Sequence, residues 1–423
     1  IAAAFDPGPA RPGRSPQKLG GFITDFAYDW RRHKIPPKQI AAADPLQFLL
    51  LDTVSQALAD AGYPEREPPR GRTGVVVGTM FRGDFAVALQ IGMRLPYFTR
   101  AVRQELTGRG VPAAVAEAVC ERFADLVIER LPALVDETGS FTSSSLASRI
   151  TKTFDLGGGA TAVDGGAASA VAALDICRNF LLTGRADCML CAAGQRSMSL
   201  ATYEQLALGG QLSRSGRPRA FDETSDGLLP AEAAAVFVLK RLSDARRDGD
   251  RIHGIVRGIG TARAAGPAAV RTAIERCLAD AAVSPADVAA VEAAAAGVAA
   301  ADRDELEAVR QAYRSAGTGP ALAALAPRIG HAFGAAAGLA LVKAAREVET
   351  AELRAGVAVH DTVAEQSPAA LLPPPAAAGR LLIGIDAVHG DMAHHVLLER
   401  GTPLPVDRAS ESPAPLPVAA ESA

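Results

Sequence analysis

A short strand-like run, Ala160-Thr161-Ala162-Val163, meets a Gly165-Gly166 pair and then good helix-forming sequence from Ala168 to Leu182. Glycine permits the sharp reversal that joins such a strand to such a helix. The outcome is an elbow with residue 167 at the N-terminal mouth of the helix, a place where the helix dipole favours negative charge. Elbows of this shape commonly carry a nucleophile, but residue 167 is alanine.

Around this elbow the chain reads as alternating helix and strand. Phe48, Leu51, Val54, Leu58 and Ala61 recur at helical spacing between Gln47 and Ala61, and Gly62 follows as a stop. Thr73 to Thr79 and Ala186 to Gly194 are continuous apolar runs that suit strands buried on both faces. From about Phe85 to Val135 the pattern is helical, with Val115, Val119, Phe123, Leu126, Val127 and Leu131 on one repeating face; this segment is expected to form a cap or an interface. The tail after Gly401 is rich in Pro, Ala, Ser and Glu without a period and reads as a disordered linker to another domain.

A chain of 423 residues with 48% apolar composition can bury a large core built from two units. The formal net charge of −3 and the lack of a basic run argue against a nucleic-acid partner. No apolar stretch is long enough for a membrane span and the N-terminus has no signal-peptide pattern, so a cytoplasmic location is expected. Cys120, Cys177, Cys188, Cys191 and Cys277 sit mostly in apolar surroundings, as reduced thiols do. Cys188 and Cys191 form a C-x-x-C, but without further ligands nearby they read as core residues. His389, His394 and His395 have no companion carboxylate or cysteine in an obvious metal pattern and read as surface or core residues, so no metal is expected.

Four stretches, in order, resemble the β-ketoacyl synthase (ketosynthase) family. Asp44-Pro45-Leu46-Gln47 through Ala61-Gly62-Tyr63 is similar to its "DPQQRLLLE…ALEDAGY" helix. Phe221-Asp222, Asp226-Gly227 and Val236 to Ala245 are similar to "FD…DG…VVLKRLSDA". Val291-Glu292-Ala293 with Asp302 and Glu305 resembles "VEAHGTGT…GD…E", and Ile329-Gly330-His331 resembles the second-histidine motif. The resemblance implies a thiolase fold: an α/β, five-layered αβαβα arrangement of two similar halves that forms dimers. It places an N-terminal half at 1–245 with the helical insertion at about 85–137, a C-terminal half at 246–403 and the linker at 404–423. The family's opening strand is short or absent before Gly20-Gly21-Phe22, which leaves a sheet edge needing a partner or marks a late start.

The resemblance also assigns the site. The family's cysteine nucleophile falls at Ala167, its first histidine at Ala294 and its lysine at Ala326, while its second histidine is retained as His331. The Gly-Phe-Gly-Gly loop that supplies an oxyanion donor is replaced by Asp386 to His395. Without a nucleophile no acyl-enzyme forms at 167. His331 remains either as a residual catalytic group or as a hydrogen-bonding residue beside a helix start. The implied job is that of a chain-length factor, a non-catalytic component of a fatty-acid or polyketide synthase. It would pair with an active ketosynthase, or with itself, and shape the tunnel for acyl chains held on the phosphopantetheine of an acyl carrier protein, with no cofactor of its own. Gly139 to Ile150, Asp226 to Pro230 and Asp250 to Gly258 look most like the second ketosynthase-like domain of polyunsaturated-fatty-acid synthases. Met80, Phe141, Thr142, Thr161 and Val163 are the candidate tunnel or interface residues. Two alternatives stand beside this reading: a residual malonyl-carrier-protein decarboxylase or acyltransferase using His331, and a docking scaffold whose pocket has filled in.

Overall fold

The computed structural model describes residues 2–41, 43–63, 65–80, 84–130, 142–196, 198–314, 319–353 and 381–401. Phe141, the end of the helical segment from 131 to 137 and the tail at 404–423 lie outside these residues.

Two sheets organise the chain. In the first, β1 (Thr73–Gly78), β2 (Ala160–Val163), β3 (Cys188–Gln195) and β4 (Ala233–Leu239) stand in the order β2-β1-β3-β4. β1 is parallel to β2 and β3, and β4 runs antiparallel to β3. In the second, β5 (Ile255–Arg263), β6 (Ala290–Glu292), β7 (Ala321–Ala323), β8 (Leu382–His389) and β9 (Met392–Glu399) stand in the order β5-β9-β8-β6-β7. Here β8, β6 and β7 are mutually parallel and β9 is antiparallel to both its neighbours. β1 and β3 are buried along their whole length, as their continuous apolar sequences require of strands covered on both faces.

Helices fill three further layers. α1 (Trp30–His33) and α2 (Pro37–Ala41) lead into α3 (Pro45–Asp60), where Asp44 caps the helix by accepting from the Leu46 N–H at 2.8 Å and Pro45 fits the first turn. After β1 come α4 (Asp84–Gly108), α5 (Ala113–Arg130) and α6 (Ser144–Phe154). α3 and α6 cover the outer face of the first sheet. α7 (Ser169–Leu182) follows β2, and α8 (Leu200–Leu208) and α9 (Leu242–Arg247) flank β4. α10 (Pro267–Ala281) and α11 (Ala299–Ala312) close the outer side of the second sheet, followed by α12 (Ala326–Ile329) and α13 (Ala336–Thr350). α7 and α13 lie between the two sheets and touch both. They fit there because their buried positions are small: Ala170 and Ala173 on α7, Ala337, Gly338, Ala340 and Ala344 on α13. The resulting order, helices, sheet, helices, sheet, helices, is the five-layered thiolase arrangement expected.

The α4/α5 hairpin departs from the sequence reading. Val115 and Val119, expected on the repeating face, are 51% and 44% exposed, and the buried residues of α5 are Ala116 and Cys120 instead. The small pair, one turn apart, lets α5 approach α4 closely, and the Cys120 thiol donates to the Thr99 carbonyl at 3.4 Å. The β-branched residues consequently face outward. No helix among the described residues is long and apolar enough to cross a membrane.

Candidate functional site

The elbow forms as the sequence predicts. β2 ends at Val163, Gly166 takes φ +62°, and α7 begins at Ser169. Asp164 accepts from the Gly166 N–H at 2.9 Å. The Ser169 hydroxyl accepts from the Gly165 N–H at 3.0 Å and donates to the Gly166 carbonyl at 2.6 Å, so the turn is closed by its own side chains. A Cβ at 166 would overlap the imidazole of His389, which lies against the turn from the tip of the β8–β9 hairpin. Ala167, 9% exposed, is thereby presented just ahead of α7.

One small pocket, with about 30 Å³ of room, gathers the positions singled out from the sequence. Ala167, Ala294, Ala326 and His331 all line it, although they come from three different segments, Ala326 and His331 sharing one. Its remaining wall is largely aliphatic and comes from the start of α13 and the end of β8, with Glu292 and Asp386 as its acidic members. Met80, Thr142, Thr161 and Val163 are not among its lining residues. Met80 is buried, with its backbone close to Gly334. Thr142 and Thr161 are exposed, and Val163 is half-buried against the core between the sheets.

His331 is held firmly. Its N–H donates to the Leu229 carbonyl at 2.7 Å, its carbonyl accepts from the Ala231 N–H at 3.0 Å, and its Nδ1 accepts from the Phe333 N–H at 3.2 Å. Burial, with His389 contributing, pushes its pKa down to about 4. A neutral ring whose Nδ1 accepts carries its proton on Nε2, so His331 offers one hydrogen-bond donor.

Behind Ala294 the backbone is pinned by Glu305, whose two carboxyl oxygens accept from the Ala294 and Ala295 N–H groups at 2.7 and 2.9 Å. Asp302 likewise accepts from Gly297 and Phe221. Ala295, Phe221 and Phe333 adopt φ of +42°, +57° and +43°, left-handed values costly for residues with side chains. Ala295 and Phe333 each follow a residue of the pocket wall, Ala294 and Ala332, and Phe221 packs in one cluster with Ala295, so these backbone strains sit just behind the pocket.

Residues 1–245 match the family description "Beta-ketoacyl synthase, N-terminal domain" and residues 256–359 match "Beta-ketoacyl synthase, C-terminal domain". The chain belongs to the β-ketoacyl synthase family. It is 31% identical over 354 residues to a polyunsaturated fatty acid synthase polypeptide of Thraustochytrium sp., covering 80% of this chain and 12% of that protein. It is 33% identical over 363 residues to a phenolphthiocerol/phthiocerol polyketide synthase polypeptide of Mycobacterium tuberculosis, covering 83% of this chain and 21% of that protein. The chain thus spans about a fifth or less of the length of these synthases. Among solved structures, the oxazolomycin ketosynthase domain OzmH KS7 of Streptomyces albus shares 26% identity at a TM-score of 0.77, covering 97% of this chain and 69% of that one. A structure described as "PfaC Keto synthase-Chain length factor" shares 22% identity and the fold at a TM-score of 0.75, covering 97% and 44%.

Within this ketosynthase fold the hairpin β8–β9 differs from the sequence expectation. His395 does have a carboxylate companion. Its Nδ1 lies 2.6 Å from Asp386 Oδ1 and its Nε2 lies 3.2 Å from the Tyr313 hydroxyl, all three groups being buried. The sequence separation of nine hides a direct cross-strand pairing, Asp386 opposite His395. Burial holds the Tyr313 hydroxyl far above its ordinary range, so it keeps its proton, and the His395 ring bridges this hydroxyl and the Asp386 carboxylate. Gly384 makes room for the ring, since a Cβ there would come within 2.5 Å of His395 Cε1. Gly384→Val is therefore expected to cost about 2 kcal/mol or more, read as a lowered urea midpoint; an unchanged midpoint would place the ring elsewhere. His389, which carries no site signature in the sequence, packs on the elbow, and only the hairpin's two-residue turn at Gly390-Asp391, with Gly390 at φ +61°, reveals that reach.

Proposed function

We propose that this chain is a non-catalytic, chain-length-factor-like component of a fatty-acid or polyketide synthase. It works in the cytoplasm, pairs with an active ketosynthase, and receives part of an acyl chain tethered to the phosphopantetheine of a carrier protein. The observation that carries this reading is the convergence of Ala167, Ala294 and Ala326 with His331 on one open pocket. A ketosynthase needs a thiolate to accept the acyl group and two donors to stabilise the oxyanion and enolate. The three alanines supply neither, and the single Nε2–H of His331 supplies part of one.

The surrounding architecture fits a partner role. β2 is the edge of its sheet among the described residues, and Ala160 and Thr161 on it are exposed. An exposed edge immediately before the elbow offers unpaired backbone groups to the equivalent strand of a second ketosynthase fold. Thr161, Val163 and Thr142 then belong to the interface, and the half at 1–245 supplies it. The aliphatic pocket wall suits an acyl chain, and the fold is shared with the structure described as a ketosynthase and chain length factor.

The test is reconstitution. This chain, a ketosynthase encoded beside it, a malonyl-loaded carrier protein and an acyl primer are combined, and complex formation and product length are followed. Product yield or length is expected to depend on this chain, which forms no product alone. Decarboxylation of malonyl-carrier protein by the isolated chain, abolished in His331→Ala, would overturn the proposal.

A further inference from the structure

Residues 246–255 join the two family-matched regions, and among them His253 is a titratable group that the acyl-pocket reading does not use. It lies between the ends of two helices that belong to different layers, α3 outside the first sheet and α13 between the sheets. His253 Nε2 is 2.7 Å from Oδ2 of Asp60, the last residue of α3, and its Nδ1 is 3.3 Å from Oε1 of Glu349, in the last turn of α13. Neither helix has a basic residue in its last turn, where a positive charge would suit the dipole. Two arginines reach the same carboxylates. Arg251 lies 2.5 Å from Glu349 Oε1 and 3.7 Å from Asp60 Oδ1, and Arg346 lies 2.9 Å from Glu349 Oε2. The neighbouring charges are engaged with one another, Asp250 with Arg66 and Lys240, and Asp248 with Lys240 and Arg247.

This placement of His253 suits one protonation state. A carboxylate offers only acceptors and a neutral imidazole carries one N–H, so a ring with a carboxylate at each nitrogen donates to both only as the imidazolium. The surroundings favour that form: the hydrogen bond to Asp60, with the charge of Glu349 adding, holds His253 above its ordinary pKa of 6.5 against burial and Arg251. We propose that His253 is a proton-operated clasp between α3 and α13, closed when the ring is charged and open on its Glu349 side when the ring is neutral. The neutral ring keeps its single N–H for the shorter contact, with Asp60, and turns a lone pair to Glu349. The helix released at that end is the one whose opposite end supplies Ala336, Ala337, Leu339 and Ala340 to the pocket wall. Because the folded-state pKa is raised, the contribution of the clasp is complete below about pH 6.5, the value of an unfolded histidine, and is lost as pH rises through the folded-state value.

Hydrogen exchange of the whole chain, read by mass on the peptide that ends α13 and corrected for the intrinsic effect of pH, tests the clasp. Exchange over the last turn of α13 is expected to be about threefold faster at about pH 8 than at about pH 6, the scale of a partly exposed ion pair. His253→Gln keeps one donor and never carries a charge, so it is expected to show the faster rate at both pH values. The second readout is the titration of the His253 ring by NMR. Its midpoint is expected above 6.5 and is expected to fall in Asp60→Asn, which removes the charge facing Nε2 and leaves the ring in place. This titration also decides the matter if His253→Gln fails to fold. A midpoint at or below 6.5, equal exchange at the two pH values, or the same pH effect in a folded His253→Gln protein would overturn the clasp.

Discussion

Ala167→Cys is expected to turn an unreactive protein into one labelled by iodoacetamide at a single position, on the order of a hundredfold faster than any native thiol. All five native cysteines are buried. Burial pushes Cys277 up to about 12 and raises Cys177 and Cys188 as well, so these thiols hold their protons and are shielded. Position 167 differs on both counts. It lines the pocket and precedes a helix of 14 residues, whose N-terminal dipole stabilises a thiolate. The same variant is expected to take an acyl group from butyryl-pantetheine, seen as a mass increase on one peptide, and still to form no condensation product with malonyl. Acyl transfer needs the thiolate and one donor, which His331 Nε2–H provides. Condensation needs a second donor as well, which the methyl group of Ala294 in the pocket wall does not supply. A folded Ala167→Cys protein that resists labelling would mean that the elbow is walled off, and the scaffold alternative would then be preferred.

What can be read from the sequence follows short-range chemistry. The elbow is legible because its strand, its Gly-Gly turn and its helix lie within 23 residues, Ala160 to Leu182, and each has its own local signature. The gathering of Ala167, Ala294, Ala326 and His331 is reached through the family resemblance, since no local pattern brings their three segments together. Val115 and Val119 turn outward against expectation because periodicity marks an apolar stripe and does not say whether a neighbouring helix prefers the adjoining small residues. Asp386, His395 and Tyr313 escape for a different reason. Their partnership depends on hairpin register and on the space above Gly384, both of which are properties of paired strands. A two-residue turn centred on Gly390-Asp391 is the available signal: counting outward from it pairs His389 with Met392 and brings Asp386 opposite His395.

Lys343→Met is expected to destabilise the fold by about 3 kcal/mol or more near neutral pH, because it leaves a buried carboxylate without its counter-ion. Lys343 is 17% exposed in its side chain and holds Glu292, which is 2% exposed, at 2.6 Å. The cost should depend on pH in a definite sense. Burial already raises the pKa of Glu292 above 4.5, and Lys343 is the group that opposes the rise. Without Lys343 the folded-state value moves higher still, while the unfolded-state value stays put. Between the two values the folded protein holds a proton that the unfolded chain has released, so stability falls as pH rises through that window. The variant is therefore closest to the parent protein at about pH 5 and furthest from it at about pH 8, as urea midpoints across that range would show. Glu292→Gln in the Lys343→Met background is expected to recover part of the loss and to reduce its pH dependence; recovery stays partial because Glu347, the other buried carboxylate that Lys343 reaches, at 3.0 Å, is still in place. A loss that is the same at every pH would instead assign the role of Lys343 to packing of its alkyl chain.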